Sequence, residues 1–102
     1  MKEIKLTRKN FDDEVLNNKE TIIVDFYADW CGPCRAMGPI LEEVAESEKI
    51  RLGKINIDEE DKLAERFNIM SIPTIMVYKN GEPVKTYVGV TPKETIIEDL
   101  KK

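Results

Sequence analysis

The sequence predicts an α/β fold: a mixed five-stranded sheet flanked by four helices, in the order β-α-β-α-β-α-β-β-α. Three observations lead there. Strand-like apolar runs alternate with segments whose apolar residues recur at helical spacing, which implies parallel strands with helices on both faces. Asn80-Gly81, between two strand-like runs, is the strongest short hairpin signal and makes the sheet mixed. The third is Trp30-Cys31-Gly32-Pro33-Cys34, which stands where a strand-like run gives way to a helical pattern.

Ile4-Lys5-Leu6 alternates and opens the chain as a short strand. Thr7 or Asn10 can cap a helix, and Phe11, Val15 and Leu16 share one face, so the first helix runs to about Asn17. Thr21 to Ala28 is nearly continuous in apolar residues, as expected of a strand covered on both faces. The second helix starts near Cys34, with Met37, Leu41, Val44 and Ala45 at helical spacing. Gly38-Pro39 interrupts it, and a proline that removes one helical hydrogen bond predicts a kink rather than an end. Ile50 to Ile57 alternates as the third strand. The acidic run Asp58-Glu59-Glu60-Asp61 suits the start of the next helix, where the dipole favours negative charge. Leu63, Ala64 and Phe67 of that helix face the core, and Asn68 can end it in a left-handed conformation. Thr74 to Lys79 and Pro83 to Val88 are the hairpin strands. Thr91-Pro92-Lys93-Glu94 reads as a capping box with proline at the first helical position, and Ile96, Ile97 and Leu100 form the buried stripe of the last helix.

The totals bound the function. A chain of 102 residues is expected to be one domain, 1–102, and to bury about 65 % of its unfolded surface. Its 20 acidic residues exceed its 16 basic ones and the signs are interspersed, which argues against nucleic acid as a partner. No apolar run approaches the roughly 18 residues of a membrane span. Met1-Lys2-Glu3-Ile4-Lys5 leads into no long apolar stretch, so no signal peptide is expected. The expected setting is a reducing cytoplasm, where a cysteine pair is more often catalytic than structural.

The two cysteines carry the chemistry. On the first turn of a helix, residues i and i+3 place their Cβ atoms about 5–6 Å apart, and a disulfide needs about 3.5–4.5 Å. A slight tightening closes the Cys31–Cys34 bond and a slight relaxation opens it, so both oxidation states fit one backbone. The N–H groups and partial positive charge of a helix start favour a thiolate there. Pro33 suits the first turn, because its missing N–H has no helical partner there. Gly32 leaves room for a substrate backbone beside the sulfur. A zinc site wants four ligands, and this chain offers two cysteines and no histidine. Covalent haem attachment needs histidine after the second cysteine, where Arg35 stands. A purely structural disulfide would close too short a loop to stabilise much. No metal or bound cofactor is expected beyond the redox-active disulfide itself.

Asp25 lies within the doubly covered strand, so burial is expected to raise its pKa. The alternation around Lys54 leaves its side chain open between solvent and core. Trp30, beside the cysteines at a strand end, fits a docking surface better than a core position.

Residues 24–34, VDFYADWCGPC, together with Ile72-Pro73-Thr74, Lys79-Asn80-Gly81 and Val88-Gly89, resemble the thioredoxin family, and the resemblance covers essentially the whole chain. It implies the thioredoxin fold and a general protein disulfide reductase that supports cell redox homeostasis. It implies Cys31 as the exposed attacking thiol, Cys34 as the buried resolving thiol, Asp25 as a buried carboxylate with Lys54 as its partner, and a cis peptide bond at Pro73. Trp30, Gly32, Pro33, Ile72, Pro73, Gly89 and Val90 fall on the family's substrate-docking rim. Tyr27 stands where many members have Trp, and Met70-Ser71 where others carry Arg-Gly. The partners implied are thioredoxin reductase or another electron donor, since the chain has no nucleotide fingerprint, and disulfide-containing clients of a monomer. An oxidase or isomerase of the same fold commonly has histidine between the cysteines; Gly32-Pro33 favours the reductant. A binding module using Trp30, Pro73 and Gly89 without redox change is the alternative of another class.

Overall fold

A computed structural model describes residues 3–102; Met1 and Lys2 of the opening stretch lie outside the described residues. Five strands, β1 (Glu3–Lys5), β2 (Ile22–Tyr27), β3 (Arg51–Asn56), β4 (Thr74–Lys79) and β5 (Glu82–Val88), form one sheet in the order β1-β3-β2-β4-β5. The helices are α1 (Asp12–Leu16), α2 (Gly32–Glu48), α3 (Asp61–Arg66) and α4 (Lys93–Leu100). β1, β3 and β2 are parallel.

β4 departs from the sequence-based expectation. It runs antiparallel to its neighbour β2 as well as to its hairpin partner β5. The physical reason lies in the connection. A six-residue strand spans about 20 Å, and the six-residue α3 covers only about 9 Å. The chain therefore crosses one end of the sheet and enters β4 from the end where β3 left off.

β2 explains the two-sided core. Its residues alternate between faces. Ile23 packs with Met37, Leu41 and Val44 of α2 and Ile96 of α4. Ile22, Val24 and Phe26 pack with Phe11 and Val15 of α1 and Leu63 of α3. Ile22, Ile23, Val24 and Phe26 are apolar, their neighbour Asp25 is not, and all five are buried.

Local sequence signals held at several places and failed at others. The hairpin turns on Asn80 and Gly81 with φ of 54° and 80°, the pair of left-handed residues that Asn-Gly favours. Asn68 is left-handed at φ 53°. α2 continues through Gly38-Pro39 to Glu48 and begins at Gly32, two residues before the expected start. α1 is a wide π-type turn rather than a regular α-helix: Asn17 N–H donates to the Asp12 carbonyl, five residues back, at 2.8 Å. Asn10 spends its side chain on the preceding turn, accepting from Thr7 N–H and donating to the Lys5 carbonyl. Thr91 does not form a capping box. Pro92 occupies the cap position in an extended conformation, and the Thr91 hydroxyl donates back to the Gly89 carbonyl at 3.1 Å.

Candidate active site

The antiparallel entry of β4 gathers four segments at one end of the sheet. Phe26 near the end of β2 pairs with Thr74 at the start of β4, and Thr74 pairs with Val88 at the end of β5. Tyr27 pairs with Asn56 at the end of β3. The loop carrying Trp30 and Cys31, the loop carrying Asp58, the Ile72-Pro73 segment and the Gly89 turn therefore converge.

Cys31 and Cys34 are joined in a disulfide, with Cα atoms 5.2 Å apart. Cys31 is the N-cap of α2. Its backbone is extended, and its sulfur accepts the Cys34 N–H at 3.1 Å, the bond a Ser or Asp oxygen usually makes at that position. The Arg35 guanidinium donates to the Asp29 carbonyl at 2.9 Å and holds the approach loop. Exposure does not separate the two sulfurs as the resemblance implies. Cys31 and Cys34 are each 5 % exposed, because both pack with Ala28 against Tyr27, Ile57 and Ile72. Position separates them instead: Cys31 stands outside the first helical turn with its sulfur 3.9 Å from the Ile72 carbonyl oxygen, and Cys34 is held inside the turn.

Asp25 is 1 % exposed, and its Oδ1 has no hydrogen-bond partner. Strand alternation puts it on the Ile23 face, under α2. Removal from water pushes its pKa up to about 6; Lys54 pulls it down in part, and Glu3 adds a smaller upward push. Lys54 is the register partner of Asp25 on β3. Its ammonium stands over the Tyr27 ring, 4.6 Å from the centroid, so a tyrosine two residues beyond Asp25 steers this lysine through a cation–π contact.

The rim residues take distinct positions. Trp30 is 67 % exposed, and its indole N–H donates to Asp58 Oδ2 at 2.9 Å. Gly32 and Pro33 are exposed at the start of α2. Ile72-Pro73 is cis, with Ile72 half-buried and Pro73 buried. Gly89 N–H donates to the Pro73 carbonyl at 2.9 Å. A Cβ on Gly89 would meet no atom within 4 Å, but its φ of 86° is left-handed, so the glycine is there for conformation rather than for space. Val90 is exposed beside it.

The family model for thioredoxin matches residues 2–102. The thioredoxin of Alicyclobacillus acidocaldarius is 46 % identical over 97 residues, covering 93 % of this chain and 91 % of its own. That of Staphylococcus saprophyticus is 44 % identical over 101 residues, covering 97 % and 95 %, and that of Pyropia yezoensis is 43 % identical over 99 residues, covering 95 % and 92 %. The chain belongs to the thioredoxin family. Thioredoxins are dithiol–disulfide oxidoreductases, and this one holds its Cys31–Cys34 pair as the exchangeable disulfide.

Within this thioredoxin, three residues act on the site in ways that their own stretches of sequence do not indicate. Asp58 reads as a helix-start acid, yet it holds the Trp30 indole from 28 positions away. Tyr27 reads as a strand aromatic, yet it carries Lys54. Glu3 adds negative charge toward Asp25 from the edge strand β1. Each acts across the sheet, so no local pattern announces it. Among the described residues, no group of three or more His, Cys, Asp and Glu could hold a metal ion, and no helix is long and apolar enough to cross a membrane.

Proposed function

We propose that Cys31 is the attacking sulfur of a general protein disulfide reductase, that Cys34 resolves, and that Asp25 is the base. The Cys31 thiolate attacks one sulfur of a client disulfide; the client's other sulfur leaves as a thiolate, and a Cys31–client mixed disulfide forms. Asp25 takes the Cys34 proton, directly or through a water, and the Cys34 thiolate attacks Cys31. The Cys31–Cys34 bond closes and the client's second thiolate departs. An outside donor, thioredoxin reductase or another reductase, returns two electrons to begin the next cycle.

The observation that carries the assignment is the cap. A reduced Cys31 sulfur keeps the Cys34 N–H in reach and sits at the positive end of a 17-residue helix, both of which favour its thiolate over that of Cys34. The elevated pKa of Asp25 suits a group that accepts a proton near neutral pH. Lys54 keeps that carboxylate accessible by offsetting part of the burial cost. Trp30, Gly32, Pro33, Ile72, Pro73, Gly89 and Val90 form the surface on which the client segment lies. The protein works as a monomer in a reducing cytoplasm on this reading.

Insulin reduction driven by dithiothreitol tests it. Cys31→Ser abolishes turnover and captures no client. Cys34→Ser accumulates a mixed disulfide through Cys31. Capture by Cys31→Ser but not by Cys34→Ser reverses the assignment.

A further inference from the structure

Among the described residues, the large apolar side chains left exposed are Trp30, Met70, Val84, Val88 and Val90. Exposed apolar residues scattered singly need no explanation. Val84 stands apart, near the hairpin end of β5, but the other four are not scattered. Trp30 adjoins Cys31, Val88 pairs with Thr74 directly after Pro73, and Val90 follows the glycine bonded to Pro73. Met70, 84 % exposed, is the most exposed of the five and lies three residues before Pro73, within about 11 Å along the chain.

The Met70 loop is held at both ends. Ile69 and Ile72 pack into the core on the α1 and α3 face, Ile69 N–H donates to the Ala64 carbonyl at 3.0 Å, and the Thr74 hydroxyl donates to the Ser71 carbonyl at 2.6 Å. The fold thus fixes the backbone around a flexible, polarisable thioether and leaves that side chain in water. Met adapts to irregular apolar partners better than any other side chain.

We propose that Met70 is a specificity-determining residue of this thioredoxin, selecting client segments that carry an apolar side chain two or three residues from the reactive cysteine. The occupant follows from continuity with the site: only a chain that brings a sulfur to Cys31 can lie there. In an extended segment, a side chain two or three residues from that sulfur is about 7–10 Å away; Ile72, whose carbonyl oxygen is 3.9 Å from the Cys31 sulfur, stands two residues along the chain from Met70. Met70 makes no contact with the exchanging sulfurs, so it acts on client affinity and leaves the chemical step alone.

This inference rests on the reductase reading above, and the experiment separates the two. Two disulfide-bonded peptides, identical except for Leu or Lys two residues before the cysteine, are reduced under single-turnover conditions by the parent and by Met70→Leu and Met70→Gln. Oxidised glutathione, which has no residue at that distance, is the control substrate. The parent prefers the Leu peptide by roughly fivefold, less than the tenfold or more that one methylene gives in an enclosed pocket. Met70→Leu keeps the preference, Met70→Gln reduces it below about twofold, and the difference lies in the peptide concentration that gives the half-maximal rate. The glutathione rate is the same in all three. Equal rates on the two peptides in the parent, or a preference that survives Met70→Gln, overturns the role of Met70 while leaving the reductase intact. A glutathione rate that falls with Met70→Gln also overturns it, by placing Met70 in the chemistry. Failure of the parent on every peptide overturns the reductase reading first, and the inference with it.

Discussion

Asp25, on β2 under the helix that carries the disulfide, has a buried oxygen with no partner, whereas Asp99, in the last turn of α4, accepts the Tyr87 hydroxyl at 2.6 Å and has Lys85 and Lys102 within 4 Å. The two carboxyls are chemically the same and titrate in opposite directions. Burial lifts Asp25 from 3.8 to about 6. The Tyr87 hydrogen bond, helped by the two lysines, lowers Asp99 below 3.8, while burial, joined by that same bond, raises the Tyr87 phenol. Asp99 fastens α4 to β5. Asp25 fastens nothing, and its charged form works against the fold. A polar group that costs stability at the disulfide end, beside one that is satisfied elsewhere, marks where the fold gives up stability for chemistry.

The signs of the two pH effects follow. The folded state holds the Asp25 proton more tightly than the unfolded chain does. That preference stabilises the fold fully below about pH 3.8 and is lost as pH rises through about 6. For Asp99 the folded pKa is the lower one. Its contribution is present above the unfolded pKa and is lost as pH falls through the folded value.

The sharpest break in the comparison is Asp25→Asn, which keeps the shape and removes the charge. Its stability advantage over the parent grows between about pH 4 and pH 6 and levels off near 3 kcal/mol, the worth of a two-unit shift. Above about pH 6, where the parent carboxylate is ionised, insulin reduction slows by about a hundredfold or more, the effect expected of removing the base proposed for Cys34. Denaturant melts and reduction rates on the same samples check both. Next in size is Lys54→Met. It removes the attraction that lowers the Asp25 pKa, so the pH midpoint of turnover moves upward and stability above pH 6 falls. Asp99→Asn has a smaller effect of the opposite character: it is less stable than the parent above about pH 4, the deficit shrinks as pH falls below that, and reduction rates are unchanged. The smallest is Glu3→Gln, which removes the minor upward push on Asp25 and shifts the turnover midpoint slightly downward. A pH–rate profile resolves it from Lys54→Met by sign.

What the sequence made legible was local. The Cys31–Cys34 spacing at a strand-to-helix junction, the doubly covered run around Asp25 and the Asn80-Gly81 turn each state their physics within a few residues. What it hid came from length and from distance. The short α3 turned β4 antiparallel, and that reversal brings Pro73 and Gly89 to the cysteines. Nothing near Trp30 names Asp58 as its partner, and nothing near Lys54 names Tyr27. The packing that covers Cys31 as fully as Cys34 draws on Tyr27, Ile57 and Ile72 from three different segments. Thr91 matched a capping pattern by letter, but Pro92 took the cap, and the hydroxyl turned to Gly89.

The central claim is that burial at the disulfide end, and not the carboxyl itself, sets the behaviour of Asp25. Carboxyl-carbon NMR titration of the oxidised protein, following Asp25 and Asp99 in one sample, tests it most directly. The account predicts an Asp25 midpoint near 6 and an Asp99 midpoint below the ordinary carboxylate value. An Asp25 midpoint at or below about 4 would mean that its charge is solvated or paired, and Asp25 could not serve as the base.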